Sequence, residues 1–278
     1  LDVPTVSGVS ADAAGSGSGA YGMGASYTEA LFRLCATYET EDGRETAPSD
    51  VVELRASPVT TIIRAAVSSG YARTNLYCTP ADDPVFRLVA TGSGALTFNP
   101  QRGGRTLTTL GTSSLPEGVT HVAFCKGQCF AGRYLPYARM SAVWVSQPLG
   151  FHLWNRSKDF LPVSGELALL LWNNKGVLIG TTQAVYQYND VSGELEQLAN
   201  YGVLPGIAGD TDAEGMAYFW TQRGICKAYP FENLTEKDVS MPTGTRAVAA
   251  MVYLNGMQQF IAVAQGDGVS FNPRKERT

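Results

Sequence analysis

The sequence predicts an all-β chain, with an antiparallel sandwich over residues 1–105 and propeller-type blades over residues 106–278. Three observations lead there. Apolar and polar residues alternate in short runs, and no 3.6-residue period is sustained. In the first third, turn signals recur about every ten residues, the rhythm of an antiparallel sandwich. In the remainder, four pairs of apolar runs are each hinged on a glycine. Composition agrees: 44% hydrophobic and 17% charged residues in a chain of 278 argue against bulk disorder, and Gly 30, Pro 14 and Tyr 13 favour strands and turns.

Each element of the first third has its own signal. "PTVSGV" precedes a Gly/Ser-rich run at 11–24 that is too flexible to hold structure alone. In "SYTEALFRLCATYET", Tyr27, Glu29, Leu31, Arg33 and Cys35 fall on one side, and Thr28, Ala30, Phe32, Leu34 and Ala36 on the other. Asp42-Gly43 suits a tight hairpin turn. "APSDVVEL", "VTTIIRAAV", "TNLYCT" and "VFRLVAT" follow as further short strands. The run "YTEALFRLCATYETEDGRETAPSDVVEL" with "TNLYCTPADDPVFRLVATG" resembles fibronectin type III-like modules embedded in bacteriophage virion proteins. That resemblance implies an Ig/fibronectin III-like sandwich. Glu41, Asp42, Arg44 and Glu45 form an acidic hairpin cluster, whose plain reading is solvation.

After the polar connector "FNPQRGGRTLTTLGTSSLPEG" come hairpins expected to turn on Lys126-Gly127, Lys175-Gly176, Arg223-Gly224 and Asn255-Gly256. The glycines are 49, 48 and 32 residues apart. The first two intervals fit one four-stranded blade per repeat, usually about 40–50 residues. "SAVWVSQP" and "AVYQYND" would be outer strands. The short third interval means a trimmed blade or a differently placed hairpin. About 170 residues supply three or four blades, at the low end of the usual range. The propeller is therefore incomplete here. Blades preceding Leu1 would complete it, an expectation that the missing initiator Met supports. The alternatives are completion by another chain or an open stack of sheets.

Chemistry-bearing patterns are sparse. The two histidines, His121 and His152, leave no His-rich cluster and read as structural residues. No G-x-S-x-G elbow or Walker A loop occurs. Asp210, Asp212 and Glu214 alternate as oxygen donors in "GDTDAEG", so calcium is one reading. The loop lacks the remaining ligands of an EF-hand, and no cofactor or metal is expected. A glycosidase would need two carboxylates about 5–9 Å apart; Asp210, Asp212 and Glu214 are the loop candidates, although Asp-rich turns between strands are ordinary. The five cysteines are scattered, with Cys125 and Cys129 close. They read as buried free thiols, or as a pair facing each other across a hairpin, in a reducing compartment. Trp144, Trp172 and Trp220 lie in strand-like runs and read as core. Trp154 is the candidate glycan platform. A net charge of −4 gives no footprint for nucleic acid, and the basic ending at Arg274, Lys275 and Arg277 reads as a solvated tail. No apolar stretch reaches the ~18 residues of a membrane span, and the opening at Leu1 and Asp2 is not that of a signal peptide.

"AVWVSQPLGFHLWNRSKDFLPVSGELALLLWNNKGVLIGTTQAVYQYN" resembles a recurrent segment of tailed-phage structural proteins. The matching positions are Trp144, Ser146, Pro148, Trp154, Phe160, Gly165, Leu169, Gly176, Thr181, Val185 and Tyr186, with Ala184 departing from the usual glycine. "YGVLPGIAGD" and "PFENLTEKDVSMPTGTRAVAAMVYLNGMQQFIAVAQG" continue the match. The resemblance implies a non-enzymatic virion component of the tail hub, nozzle or head-to-tail connector, assembled in the host cytoplasm. Its partners would be copies of itself and portal, adaptor or tail proteins, with DNA only in passage along a mildly acidic surface. The expected contact loops carry Asp82 and Asp83, and Asp210, Asp212 and Glu214. The alternative is a receptor- or glycan-binding tail module, and an enzyme acting on polysaccharide is the third reading.

Overall fold

A computed structural model describes residues 3–11, 29–58, 60, 62–68, 73–235 and 244–266. Most of the Gly/Ser-rich run and the basic ending at Arg274, Lys275 and Arg277 lie outside these, as do Tyr27 and Thr28. Among the described residues there is no helix, hence none long and apolar enough to cross a membrane. The chain divides into two compact units, Leu1–Leu115 with His152–Trp154, and Pro116–Phe151 with Asn155–Thr278.

Among the described residues the first unit has seven strands: β1 (Val6–Ala11), β2 (Ala30–Glu39), β3 (Val52–Ala56), β4 (Ile63–Val67), β5 (Arg73–Cys78), β6 (Arg87–Thr91) and β7 (Gly94–Phe98). They form two antiparallel sheets, ordered β1-β4-β7 and β3-β2-β5-β6. Period-two alternation on β2 points Ala30, Phe32, Leu34 and Ala36 into a core shared with Ile63, Ala65, Val67, Leu76, Cys78 and Phe98. Cys35 faces the other way, yet is buried as well, with Tyr77 and Phe86 under Leu88 and Leu107. That second layer explains why the unit runs on to Leu115, past the expected border at 105. Leu88 N–H donates to the Arg105 carbonyl at 2.9 Å, Leu107 N–H to that of Phe86 at 3.0 Å, and Ser113 pairs with Trp154.

The second unit begins with β8 (His121–Cys125), β9 (Gln128–Leu135), β10 (Met140–Gln147), β11 (Gly150–Trp154) and β12 (Phe160–Ser164). These form one sheet in the order β11-β10-β9-β8, with β12 also pairing to β10. The last three residues of β11 are counted with the first unit. Next come two four-stranded meanders. One is β13 (Leu167–Asn173), β14 (Gly176–Thr181), β15 (Val185–Asn189) and β16 (Leu195–Ala199). β17 (Gly206–Ile207) intervenes before the other, which is β18 (Gly209–Thr211), β19 (Ala217–Thr221), β20 (Gly224–Ala228) and β21 (Glu232–Asn233). A final hairpin, β22 (Gly244–Leu254) and β23 (Met257–Gly266), takes up β17 as a parallel third strand.

These sheets share cores in chain order. Ala123, Cys125, Phe130, Val143 and Val145 of the first sheet meet Leu170, Val177 and Ile179 of the second. The opposite face of the second sheet, with Leu169, Leu178 and Val185, meets Ala217, Phe219 and Cys226 of the third, and the cluster reaches Ala247 of the last. Each such fully buried large apolar side chain contributes about 1.5–3 kcal/mol, so stacking supplies the stability that an isolated meander lacks. Lys126 Nζ reaches Asp190 Oδ2 at 2.8 Å, and the Phe130 and Tyr188 rings lie 5.5 Å apart, both ties between the first two sheets.

All four glycine-marked hairpins form, but with two kinds of turn. Lys126-Gly127 and Asn255-Gly256 are the two-residue turns themselves, both residues at positive φ (44° and 78°, 51° and 78°) as a type I′ turn requires. In the other two the turn is one residue earlier, at Asn174-Lys175 and Gln222-Arg223, and the glycine opens the return strand. "SAVWVSQP" and "AVYQYND" become β10 and β15, third strands with another strand outside each. The short third interval reflects a differently placed hairpin: Gly224 marks the second and third strands of its sheet, β19 and β20, whereas Gly127 and Gly176 each mark the first and second.

The two kinds of glycine predict different costs. Gly176 sits at φ 136°, and a Cβ there would lie 2.2 Å from the Tyr188 carbonyl oxygen, whereas nothing lies within 4 Å at Gly256. In urea unfolding, Gly176→Ala is expected to lose about 3 kcal/mol or more and Gly256→Ala about 1 kcal/mol. Equal losses would contradict this assignment of the turns.

Candidate functional site

The acidic loops use their carboxylates locally. Asp82, at φ 56°, accepts the Leu31 N–H on Oδ1 at 2.9 Å, and its own N–H returns to the Leu31 carbonyl at 3.0 Å. Asp83 Oδ1 accepts the Val85 N–H at 2.8 Å. Asp210 Oδ1 takes the Thr211 N–H at 2.8 Å, and its Oδ2 takes the Met251 N–H at 2.8 Å, which ties β18 to β22. Asp212 Oδ1 accepts the N–H groups of Glu214 and Met216 at 2.9 and 2.8 Å, while Glu214 itself is exposed. Asp82 and Asp83 belong to the first unit and the other three to the second. Four of the five residues thus shape their loops, which then present the remaining charge to solvent. Among the described residues no group of three His, Cys, Asp or Glu side chains is arranged to hold a metal ion.

Trp154 is a correction. Its exposure is 2%, so it cannot serve as a surface platform for sugars. It ends β11, and its backbone pairs with that of Ser113. Trp172 departs the other way: it is 43% exposed although it shares the parity of buried Leu170 on β13, whereas Trp144 and Trp220 are buried as expected. All five cysteines are free and buried. Cys125 stands opposite Gln128, and Cys129 opposite Phe124, so the two thiols do not pair across their hairpin. Burial pushes the Cys35 and Cys78 thiols up to about 12 and disfavours their thiolates.

The most developed polar constellation lies where the sequence suggested only a solvated hairpin. β2 and the strand-like return at Glu45 bring Glu39 and Glu45 opposite each other. Asn75 Nδ2 donates to both, at 2.6 Å each, and Arg105 Nη2 donates to both, at 2.9 and 2.7 Å. Tyr77 OH adds a 2.6 Å bond to Glu45, and His152 Nε2 lies 2.9 Å from the Glu45 carbonyl oxygen. The Glu45 carboxylate is nearly buried, and such a charge is tolerated only because it is multiply bonded. The Asn75 amide, with the Arg105 guanidinium behind it, holds the Glu39 carboxyl below its usual range. Burial and the neighbouring Glu45 push the Tyr77 phenol upward, so it stays a donor. The separations in sequence, 30 residues from Glu45 to Asn75 and 60 to Arg105, explain why no local pattern disclosed the cluster. On the hairpin itself, the Arg44 guanidinium and then Thr40 lower the Asp42 carboxyl to about 2.

The second unit carries one further concavity of about 390 Å³, lined by Gln128, Gln147, Lys158, Asp159, Phe160 and Tyr188 among others. Gln147 Nε2 donates to Asp159 Oδ2 at 2.8 Å on its wall.

No family model and no curated protein matches the chain. Among solved structures, AztD from Citrobacter koseri is similar at a TM-score of 0.32 and 11% identity, over 85% of this chain and 65% of that one. This chain therefore spans just under two thirds of that protein's length, at a similarity too low to bear on function.

The polar network predicts acid sensitivity of the first unit. Because the folded Glu39 carboxyl is held low, its stabilisation is complete above the unfolded value of roughly 4.3 and is lost as pH falls through the folded value. Arg105→Ala should cost about 1–3 kcal/mol at neutral pH by stripping the buried Glu45 of its cation. Asn75→Ala, which removes the largest cause of the low Glu39 carboxyl, should flatten the acid limb of a stability–pH curve. An unchanged acid limb in that variant would show that Glu39 does not couple to folding.

Proposed function

We propose that the chain is a non-enzymatic structural component of a tailed-phage virion, in the tail hub, nozzle or head-to-tail connector region, working by symmetric protein–protein assembly. In this reading the first unit is the Ig/fibronectin III-like sandwich and the second supplies blades of an incomplete propeller. The observation that carries it is the serial stack, among the described residues, of a five-stranded sheet, two four-stranded meanders and a three-stranded last sheet, each packed on the next and none closed on itself. Stacked antiparallel sheets of this kind suit a rigid building block that presents loops to neighbours. The sequence similarity to tail structural segments at Trp144, Pro148, Gly176 and Tyr186 supports the location. DNA would pass such an assembly without specific contact, given the net charge of −4.

The contact loops remain Asp82–Asp83 and Asp210–Glu214, whose shape and charge can be separated by experiment. Asparagine keeps the accepting oxygen and removes the charge. Particles assembled with Asp82→Asn, Asp83→Asn, Asp210→Asn and Asp212→Asn as the sole copy are expected to fall at least tenfold in yield or infectivity. Normal particles would remove these loops from the assembly. Absence of the chain from purified virions by quantitative mass spectrometry would overturn the reading as a whole.

A second reading, glycan binding, passes from Trp154 to the concavity beside Asp159, which Phe160 and Tyr188 line together with Gln147 and Lys158. A glycan array would show binding abolished by Asp159→Ala. An array with no binder, or binding unaffected by that change, would dismiss it.

A further inference from the structure

Along the seam between the first two sheets, the core-facing strand positions change character toward one end. Strand alternation turns Phe130 of β9, Val143 and Val145 of β10 and Leu161 of β12 toward the second sheet, where they pack with Leu170, Val177 and Ile179. The next positions of the same parity are Gln128 on β9, Gln147 on β10 and Asp159 just before β12. Val145 N–H donates to the Asp159 carbonyl at 2.9 Å, which carries the β10–β12 register on to that residue. Side chains that only extended the seam would be apolar here, since a polar group facing a core is costly unless bonded. The facing sheet changes likewise: Tyr188 of β15 brings a phenol to the seam, its ring 5.5 Å from that of Phe130. At this end the sheets do not close on each other but leave the concavity of about 390 Å³. That size lies at the low end of ligand pockets, ~300–1,000 Å³, and accommodates a sugar ring.

The polar groups at this mouth are only partly committed. Gln147 Nε2 donates to Asp159 Oδ2 at 2.8 Å, and Gln128 Nε2 to the Ser146 carbonyl at 3.2 Å. Asp190, next to the mouth, is matched by Lys126, whose Nζ lies 3.0 Å from Oδ1 and 2.8 Å from Oδ2. Among the described residues, Asp159 Oδ1, the side-chain oxygens of Gln128 and Gln147, the Tyr188 hydroxyl and the Lys158 ammonium have no partner in the protein. The Tyr188 phenol remains a donor, because burial first, and then Asp190 and Asp159, push it upward. What is left is a mixed set of acceptors and donors, with one charge of each sign on adjacent residues. An anion entering the concavity would face Asp159, and a cation would face Lys158. A hydroxyl donates and accepts through the same atom, so neighbouring hydroxyls satisfy such a set without burying a charge.

We propose that this concavity takes a neutral hexose unit of a glycan, its hydroxyls donating to Asp159 and the two glutamine oxygens and accepting from Tyr188 and Lys158. This rests on the glycan reading above and names the sugar, one that carries neither a carboxylate nor an amine.

Titration of the full chain with methyl α-glucoside, methyl α-galactoside and methyl α-mannoside, followed by saturation-transfer difference NMR, tests this. Glucuronate, glucosamine and the zwitterion alanine serve as charged probes. At least one neutral glycoside is expected to bind with a millimolar Kd, and each charged probe about tenfold more weakly or worse. Tyr188→Phe removes only a hydroxyl that has no protein partner, so the fold is kept, and the affinity should fall by about threefold to tenfold. Asp159→Asn should lower it about tenfold. No binding of any neutral glycoside, tighter binding of a charged probe, or an affinity that both variants leave unchanged would each overturn the proposal. Should Asp159→Asn fail to fold, Tyr188→Phe decides by itself. An array glycan held here only through an acidic or amino sugar would sink the neutral-sugar assignment and leave the glycan reading standing. Neutral glycosides that bind here while the array stays empty would do the reverse.

Discussion

The strictest constraint on this molecule is that a β-strand sends alternate side chains to opposite faces, and in the second unit both parities are apolar. Leu170 and Leu169 of β13 belong to different cores, one against the first sheet and one against the third. A meander of this kind has no side to give to water and must be covered front and back. Serial stacking follows directly.

The first unit solves the same difficulty differently. One face of β2 packs across to β4 and β7, and the other is capped by the segment from Phe86 to Leu107. That cap is pinned by charge as much as by packing, since Arg105 bonds to both Glu39 and Glu45. The polar network therefore serves to close a sandwich layer. Its electrostatics are those of a structural tie: the carboxylates are satisfied by an amide, a phenol and a guanidinium, and the neighbouring thiols are suppressed by burial.

Local signals in the sequence carried much of this, and long-range ones did not. The all-β class, the alternation on β2 and all four glycine hairpins were legible because turns and strand parity are set within a few residues. Even there, Gly176 and Gly224 stand one position beyond the turns they mark: at Gly176 a Cβ would meet the Tyr188 carbonyl, and Gly224 holds a φ of 126°. The tryptophans were harder. Trp154 and Trp172 both sit on strands, and whether a strand position faces a neighbour depends on which sheet lies beyond it. Glu45 read as solvated because its partners Asn75, Tyr77 and Arg105 are 30 to 60 residues away. The acidic loops were legible as loops, but the use of Asp210 to hold β22 depends on a strand 41 residues later.

The claim on which the account turns is that the second sheet is covered on both faces by its neighbours in the stack. Native-state hydrogen exchange of the full chain tests it most directly, at the amides of β13 and β14. The account predicts that Leu169→Ala and Leu170→Ala each lower protection throughout both strands, because each opens a different core. Protection unchanged from the wild type in either variant would contradict it.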